Sequence, residues 1–265
     1  MAKLLELIIF GGFLYWIYIK KFRNPSVVVP RAKKRSAEKG FSSKMVRCQF
    51  CSLGLPQDSA LRIENRFYCS DEHMSEIDKS GWLGSVRWKP SPNFDNREGV
   101  PEVDTVVIHH ISLPKGVYGG RSIEEFFCNQ LDPLGHPEFD AIKDLQVSAH
   151  FLIKRTGQVT QFVSCQKRAW HAGKSEMLGR ERCNDFSLGI ELEGTGEDPF
   201  TEKQYHALVK LFVEIKQLYN IRFYVGHSDI SPDRKTDPGQ SFDWKLLSQL
   251  AQIDLKELPF GLESR

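Results

Sequence analysis

From Leu4 to Ile19 the chain reads LLELIIFGGFLYWIYI, apolar but for Glu6. A bilayer core of about 30 Å asks for roughly 20 such residues, so the run predicts a transmembrane helix on the short side. Tyr15, Trp16 and Tyr18 suit an interface, and Lys20, Lys21 and Arg23 can snorkel beyond it. The alternative is a buried or interfacial helix. Further on, Leu61, Ile63 and Phe67 alternate with polar residues around Glu64-Asn65, the pattern of a hairpin too small to stand without a staple. From Gly81 strand and helix patterns alternate. Residues 104–109 (DTVVIH) form a continuous apolar strand of the kind buried on both faces. Ser122 to Gln130 reads as a helix, and residues 150–153 and 159–163 pair as a hairpin around Gly157. Residues 186–193 (FSLGIELE) are another strand. Thr201 and Gln204 make a capping box for a helix to about Tyr219, with Tyr205, Leu208, Leu211, Phe212, Ile215 and Leu218 at helical spacing. A strand over 223–227 and a helix from Trp244 complete an α/β domain on a mixed central sheet flanked by helices.

The composition, 265 residues with 40% hydrophobic, 26% charged, 20 Gly and 13 Pro, excludes collagen, a mucin-like stalk and a wholly disordered chain. The net charge of +2 conceals an asymmetry. Lys20 to Arg47 holds ten basic residues against Glu38, a balance of +9, while Lys3 and Glu6 cancel before it; residues 48 to 265 therefore carry −7. No basic start or small-residue cleavage site marks a signal peptide. With the positive charge after the apolar run, the positive-inside rule predicts a single-pass inner-membrane anchor whose downstream chain faces the cytoplasm. The belt lacks a nucleic-acid fold signature, so no nucleic-acid partner is expected.

Cys48-x-x-Cys51 and Cys69-x-x-x-His73 supply two closely spaced pairs of soft or borderline ligands, which suits structural tetrahedral zinc with every position filled by protein. The competing reading is a Cys48–Cys51 disulfide. The segment from Met1 to His73 resembles a small bacterial family of membrane-anchored proteins ending in a MYND-like finger, which implies a zinc ribbon whose protein partner is unknown. Cys128, Cys165 and Cys183 have no ligand spacing.

His109 and His227 close two predicted strands, and Asp237 follows ten residues after His227. Two imidazoles and a carboxylate leave a fourth zinc position for water, the arrangement of a catalytic site. Glu191 and Glu193 project from one face of their strand while Ile190 and Leu192 occupy the other. In an extended loop Lys235 points the same way as Asp237, where a cation stabilises an oxyanion; a nearby glutamate can carry a proton from water to a leaving nitrogen.

The runs VSAHFLIKRTGQVTQFV, KRAWHAG, GRERCNDFSLGIELEG, GHSDISPDRKTDPG and FDW, with GWLGSVRWKPSPNFD and VVIHHISLPKGVYGG, resemble the AmpD-type zinc amidases that cleave N-acetylmuramoyl-L-alanine bonds in peptidoglycan recycling. The resemblance spans nearly all of Gly81 to Leu247. It implies an amidase-2 fold like that of peptidoglycan-recognition proteins and a muropeptide substrate. His109, His227 and Asp237 would be the zinc ligands, Glu191 the general base and then acid, and Lys235 the oxyanion stabiliser. Trp170, Arg182 and His110 would line the muropeptide site. His110 stands where relatives usually have Asn, and Gln146 where they often have Arg, which bears on substrate preference more than on the reaction. His150 reads as a satisfied interior histidine, His136 and His206 as surface residues, Glu193 as a supporting carboxylate; His171 either lines the cleft or supports it. The expected organisation is an anchor over 1–23, a basic linker over 24–47, a zinc knuckle over 48–75 and a zinc amidase domain over 76–265. The alternatives are a periplasmic amidase acting on intact wall and a recognition module that binds muropeptides without cutting them.

Overall fold

The computed structural model describes residues 44–49, 51–63, 66–75, 81–97 and 102–262. The expected anchor and nearly all of the basic linker lie outside the described residues. The single-pass inner-membrane placement, with its cytoplasm-facing domain, is corrected: among the described residues no helix is long and apolar enough to cross a membrane. By length alone, the 16 residues from Leu4 to Ile19 at about 1.5 Å each would span about 24 Å, short of a bilayer core of about 30 Å.

The first described unit is small. Strands β1 (Met45–Arg47) and β2 (Gly54–Pro56) pair antiparallel, as do β3 (Leu61–Ile63) and β4 (Arg66–Tyr68), and α1 (Asp71–Ser75) follows. Cys48, Leu55 and Tyr68 form its only fully buried apolar cluster among the described residues. This unit sits directly on the larger one. The Arg66 guanidinium lies 3.6 Å from the centre of the Trp88 ring and donates to the Val86 carbonyl at 2.5 Å. Gly84 lies so close to the Met74 carbonyl that a β-carbon there would come within 2.4 Å of it.

The larger unit runs β5 (Arg87–Trp88), β6 (Phe94–Asn96), β7 (Thr105–Ile111), α2 (Ser122–Phe127), α3 (Pro137–Asp140), β8 (Phe151–Ile153), β9 (Val159–Gln161), β10 (Lys167–Ala169), β11 (Glu176–Met177), β12 (Arg180–Glu181), β13 (Ser187–Glu193), α4 (Glu202–Lys216), β14 (Phe223–Gly226), α5 (His227–Ile230) and α6 (Trp244–Ala251). Six strands form a mixed sheet in the order β14-β7-β13-β8-β9-β5. β14, β7, β13 and β8 are parallel, and only the β8–β9 hairpin is antiparallel. Gly157 turns that hairpin at φ +81°.

Alternation divides the two central strands between the faces of the sheet. Val106 and Ile108 of β7, with Leu188, Ile190 and Leu192 of β13, enter the main core beneath α4 and α6. There Tyr205, Leu208, Leu211, Phe212 and Ile215 bury one stripe of α4, each contributing about 1.5–3 kcal/mol. Its capping box is complete: Gln204 N donates to Thr201 Oγ1 and Thr201 N to Gln204 Oε1. The helix ends at Lys216 rather than Tyr219, so Leu218 falls beyond it and stands 54% exposed. The opposite face of the sheet carries His109, Gly189, Glu191 and Glu193, and Val107 packs there against Ala172, Met177, Cys183 and Phe186. β14 stops at Gly226, whose N–H is taken by the Asp229 carboxylate at 2.8 Å, so His227 opens a short helix instead of closing a strand.

Candidate metal and catalytic site

The parallel register sets Glu191 of β13 beside His109 of β7, at the carboxyl ends of both strands and on the face away from α4. His227 arrives where β14 turns into α5, and Asp237 returns from the following loop, whose carbonyl accepts from Ser228 N at 2.8 Å. The three side chains meet. His109 Nδ1 lies 3.0 Å from His227 Nδ1 and 2.9 Å from Asp237 Oδ2, and His227 Nδ1 lies 3.0 Å from the same oxygen. All three groups are buried.

This triangle fits a cation. A tetrahedral zinc with bonds of about 2.0–2.1 Å separates its ligand atoms by roughly 3.3 Å. The far nitrogens are already engaged: His227 Nε2 donates to the Ala172 carbonyl at 3.0 Å, and His109 Nε2 meets His171 Nδ1 at 3.0 Å. Burial, reinforced by His227, lowers the pKa of His109 to about 4, so its imidazole is neutral at neutral pH. With both Nδ1 atoms unprotonated, two nitrogen lone pairs and a carboxylate oxygen at 3 Å repel one another unless a cation lies among them.

Glu191 is half-buried, and its Oε2 is sealed from solvent with no hydrogen-bond partner. Burial holds its carboxyl well above the usual range; the Asp237 charge adds to that, and the Lys235 ammonium opposes it. Such a carboxyl exchanges a proton nearer neutral pH than a surface glutamate does. Lys235 is half-buried and close enough to act electrostatically on both Glu191 and His109.

The remaining expected residues are more dispersed. Trp170 is half-buried at the end of β10, immediately before His171, and it hydrogen-bonds to Asp95. Arg182 occupies a left-handed turn at φ 60°, pairs with Asp185 at 3.1 Å and borders a cavity of about 640 Å³ with Lys174, Asp229 and Arg234. His110 turns to the other face: a β-carbon on Gly196 would lie 2.7 Å from its Nε2. Glu193 is buried and accepts from Gly119 N at 2.7 Å and Arg155 N at 3.0 Å, tying two loops to the sheet. His150 accepts from Gly189 N and donates to the Lys167 carbonyl, both at 3.0 Å. His171, left open on sequence grounds, is packed between His109 and His150.

In the small unit the ligand atoms of Cys48, Cys51, Cys69 and His73 all lie within 4.8 Å of one another. Cys51 and Cys69 Sγ are 3.7 Å apart, and His73 Nδ1 is 3.9 Å from Cys48 Sγ. Those separations suit tetrahedral coordination at about 2.3 Å per sulfur. Cys48 and Cys51 are not joined by a disulfide.

The family described as N-acetylmuramoyl-L-alanine amidase matches residues 99–240. The chain is 49% identical over 175 residues to the 1,6-anhydro-N-acetylmuramyl-L-alanine amidase AmpD of Haemophilus influenzae, spanning 65% of this chain and 95% of that protein. It is 48% identical to the enzyme of the same name from Escherichia coli, across 63% of this chain and 92% of the relative. A crystal structure of a selenomethionine derivative of AmpD superposes with a TM-score of 0.63 at 47% identity, covering 65% of this chain and 97% of that one. The triad, Glu191 and the strands that carry them all fall inside the matched region, and the chain belongs to the N-acetylmuramoyl-L-alanine amidase family.

Proposed function

We propose that this chain is a zinc-dependent amidase that hydrolyses the amide between 1,6-anhydro-N-acetylmuramic acid and L-alanine in muropeptides released by wall turnover. The observation that carries the reading is the sealed, unpartnered Glu191 carboxyl oxygen on the same face as three convergent metal-ligating atoms. His109 and His227 through Nδ1, and Asp237 through Oδ2, would hold zinc. Bound there, zinc supplies a Lewis acid and lowers the pKa of its water toward neutrality. Glu191 takes the proton of the attacking water and returns it to the leaving nitrogen, so one group serves as base and then as acid. Lys235 holds the negative charge that develops on the carbonyl oxygen. Trp170 and Arg182 are assigned to substrate contact; His110, turned to the other face of the sheet, is not. The 49% and 48% identity to two AmpD enzymes, over 95% and 92% of their lengths, supports the anhydro substrate, since those relatives are named for it.

Residues 76–265 form the amidase domain in this reading, and 48–75 form a knuckle stapled by a structural zinc on Cys48, Cys51, Cys69 and His73. With all four positions filled by protein, that metal has no open site for chemistry. Its role is to hold Arg66 and α1 against the segment around Trp88.

The test is direct. The full chain is incubated with anhydro- and ordinary muropeptides, with and without chelator, and the products are identified by mass. Release of the stem peptide from the anhydro substrate, lost on chelation and restored by zinc, is expected. Cleavage that persists without metal overturns the zinc assignment, and faster cleavage of ordinary muropeptides overturns the substrate assignment.

A further inference from the structure

The triad histidines share one support. Proton accounting along the hydrogen bonds behind them identifies where each proton sits. The Ser187 hydroxyl spends its single proton on the Cys183 carbonyl at 2.5 Å, so at its other contact, 3.3 Å from His171 Nε2, it can only accept. His171 Nε2 therefore carries a proton. In the neutral ring His171 Nδ1 is then a lone pair, and it faces His109 Nε2 at 3.0 Å, which must be the donor. His109 Nδ1 is left bare toward the triad. The next residue does the same for the second ligand: the Ala172 carbonyl can only accept, so His227 Nε2 donates to it and His227 Nδ1 is bare as well.

We propose that the His171–Ala172 segment is a positioning element that fixes both histidines as Nε2-protonated tautomers with their Nδ1 lone pairs converging on Asp237. This rests on the metal reading above.

Three further features hold that segment in place. Asn184 Oδ1 accepts from the backbone N–H of both residues, at 3.2 Å from His171 and 2.8 Å from Ala172. Arg234 donates to the Ala172 carbonyl at 2.8 Å and to Lys174 O at 2.8 Å. The His171 ring lies against Gly189, where a β-carbon would come within 2.4 Å of the ring. Ser187, Gly189 and Glu191 are successive residues on one face of β13. One face thus receives the end of the relay, makes room for its ring and presents the catalytic carboxyl.

Two variants separate the proposal from mere packing. His171→Phe keeps a ring and removes the acceptor, whereas His171→Asn places an amide oxygen near the Nδ1 position and removes the ring. Zinc affinity is read by chelator competition on the full chain, and His109→Ala isolates the knuckle's share of the metal. Loss of one zinc equivalent in His109→Ala upholds the metal reading, and no loss overturns that reading by itself. Given that loss, the expected result is a drop of about 10–100-fold for His171→Phe with His171→Asn within about threefold of the parent chain. An unchanged His171→Phe, the reverse order, or equal losses in both overturns the positioning role. Nitrogen-15 NMR of the unsubstituted, zinc-loaded chain needs no variant: protons on Nε2 of His109, His171 and His227 are expected, and a proton on Nδ1 of either His109 or His171 refutes the relay.

Discussion

Glu191→Gln separates chemistry from architecture at this site. The substitution is isosteric and exchanges a carboxyl for a neutral amide where Oε2 is sealed and meets no donor. The folded-state pKa of Glu191 lies well above that of the unfolded chain because burial and the Asp237 charge disfavour its ionised form. Above pH 4.5 the folded state therefore binds more protons than the unfolded one, and this residue draws stability down as pH rises. Glutamine has no charge to bury, so at neutral pH the variant should unfold at the same temperature as the parent chain or higher. Catalysis should move the other way. A positioned general acid–base is worth about 10²- to 10⁴-fold, or about 3–5 kcal/mol of barrier. The assay is single-turnover release of stem peptide from an anhydro-muropeptide, followed by mass, with zinc content and thermal unfolding measured on the same preparation. Turnover within about tenfold of the parent with zinc retained would refute the proton-transfer role. A loss of more than about 1 kcal/mol of stability would refute the description of Glu191 as an unpartnered buried acid.

Three other outcomes follow from the packing. Gly189→Ala drives a β-carbon to within 2.4 Å of the His171 ring and should destabilise the fold by about 1–3 kcal/mol while weakening zinc binding; a variant with unchanged unfolding midpoint would show that the ring moves freely. Burial, with the Arg97 charge behind it, lowers the pKa of His150 to about 3, so unfolding alone exposes an imidazole that titrates near 6.5. The stability it contributes is complete above about pH 6.5 and is lost as pH falls, by about 2 kcal/mol at pH 5, and its NMR signals should stay still from pH 8 to 5; movement with a midpoint near 6.5 would contradict the burial argument. Glu193→Ala strips the acceptor from the N–H groups of Gly119 and Arg155 and should cost about 1–3 kcal/mol, with faster hydrogen exchange at those two amides; unchanged exchange there would mean that the loops are held by other contacts.

Elements announced by local chemistry were legible from the chain alone. The apolar run of β7, the Gly157 hairpin and the Thr201–Gln204 box each carry their signal within a few residues, and each stands where expected. The alternation that put Glu191 and Glu193 opposite Ile190 and Leu192 also held. The errors fall where a local pattern continues past its tertiary support. Leu218 extends the stripe of α4 by sequence, but the helix has already ended. Strands β6, β11 and β12 have two or three residues each, too few for any periodicity to register, and they exist only because their partners hold them. The sheet order is likewise a matter of long-range pairing that no single segment encodes.

The site divides in the same way. A ligand at a strand end is half-legible, because the strand already specifies which face the side chain takes. That Glu191 lies beside His109, however, depends on the β7–β13 register, and eight histidines in one chain offer many false triads. The long motifs shared with the amidases selected this one. His171 had no comparable signal. It lies in a loop with no period to orient it, and its contact with His109 spans 62 residues. Its adjacency to Trp170 left open whether it lined the cleft or supported it, and its ring points to His109 and Ser187. Ligand residues alone therefore under-describe such a centre. The bareness of His109 Nδ1 is decided at the Ser187 hydroxyl, two hydrogen bonds behind it, so a chain could keep the whole triad and still lose metal affinity by changing a loop histidine or a strand glycine.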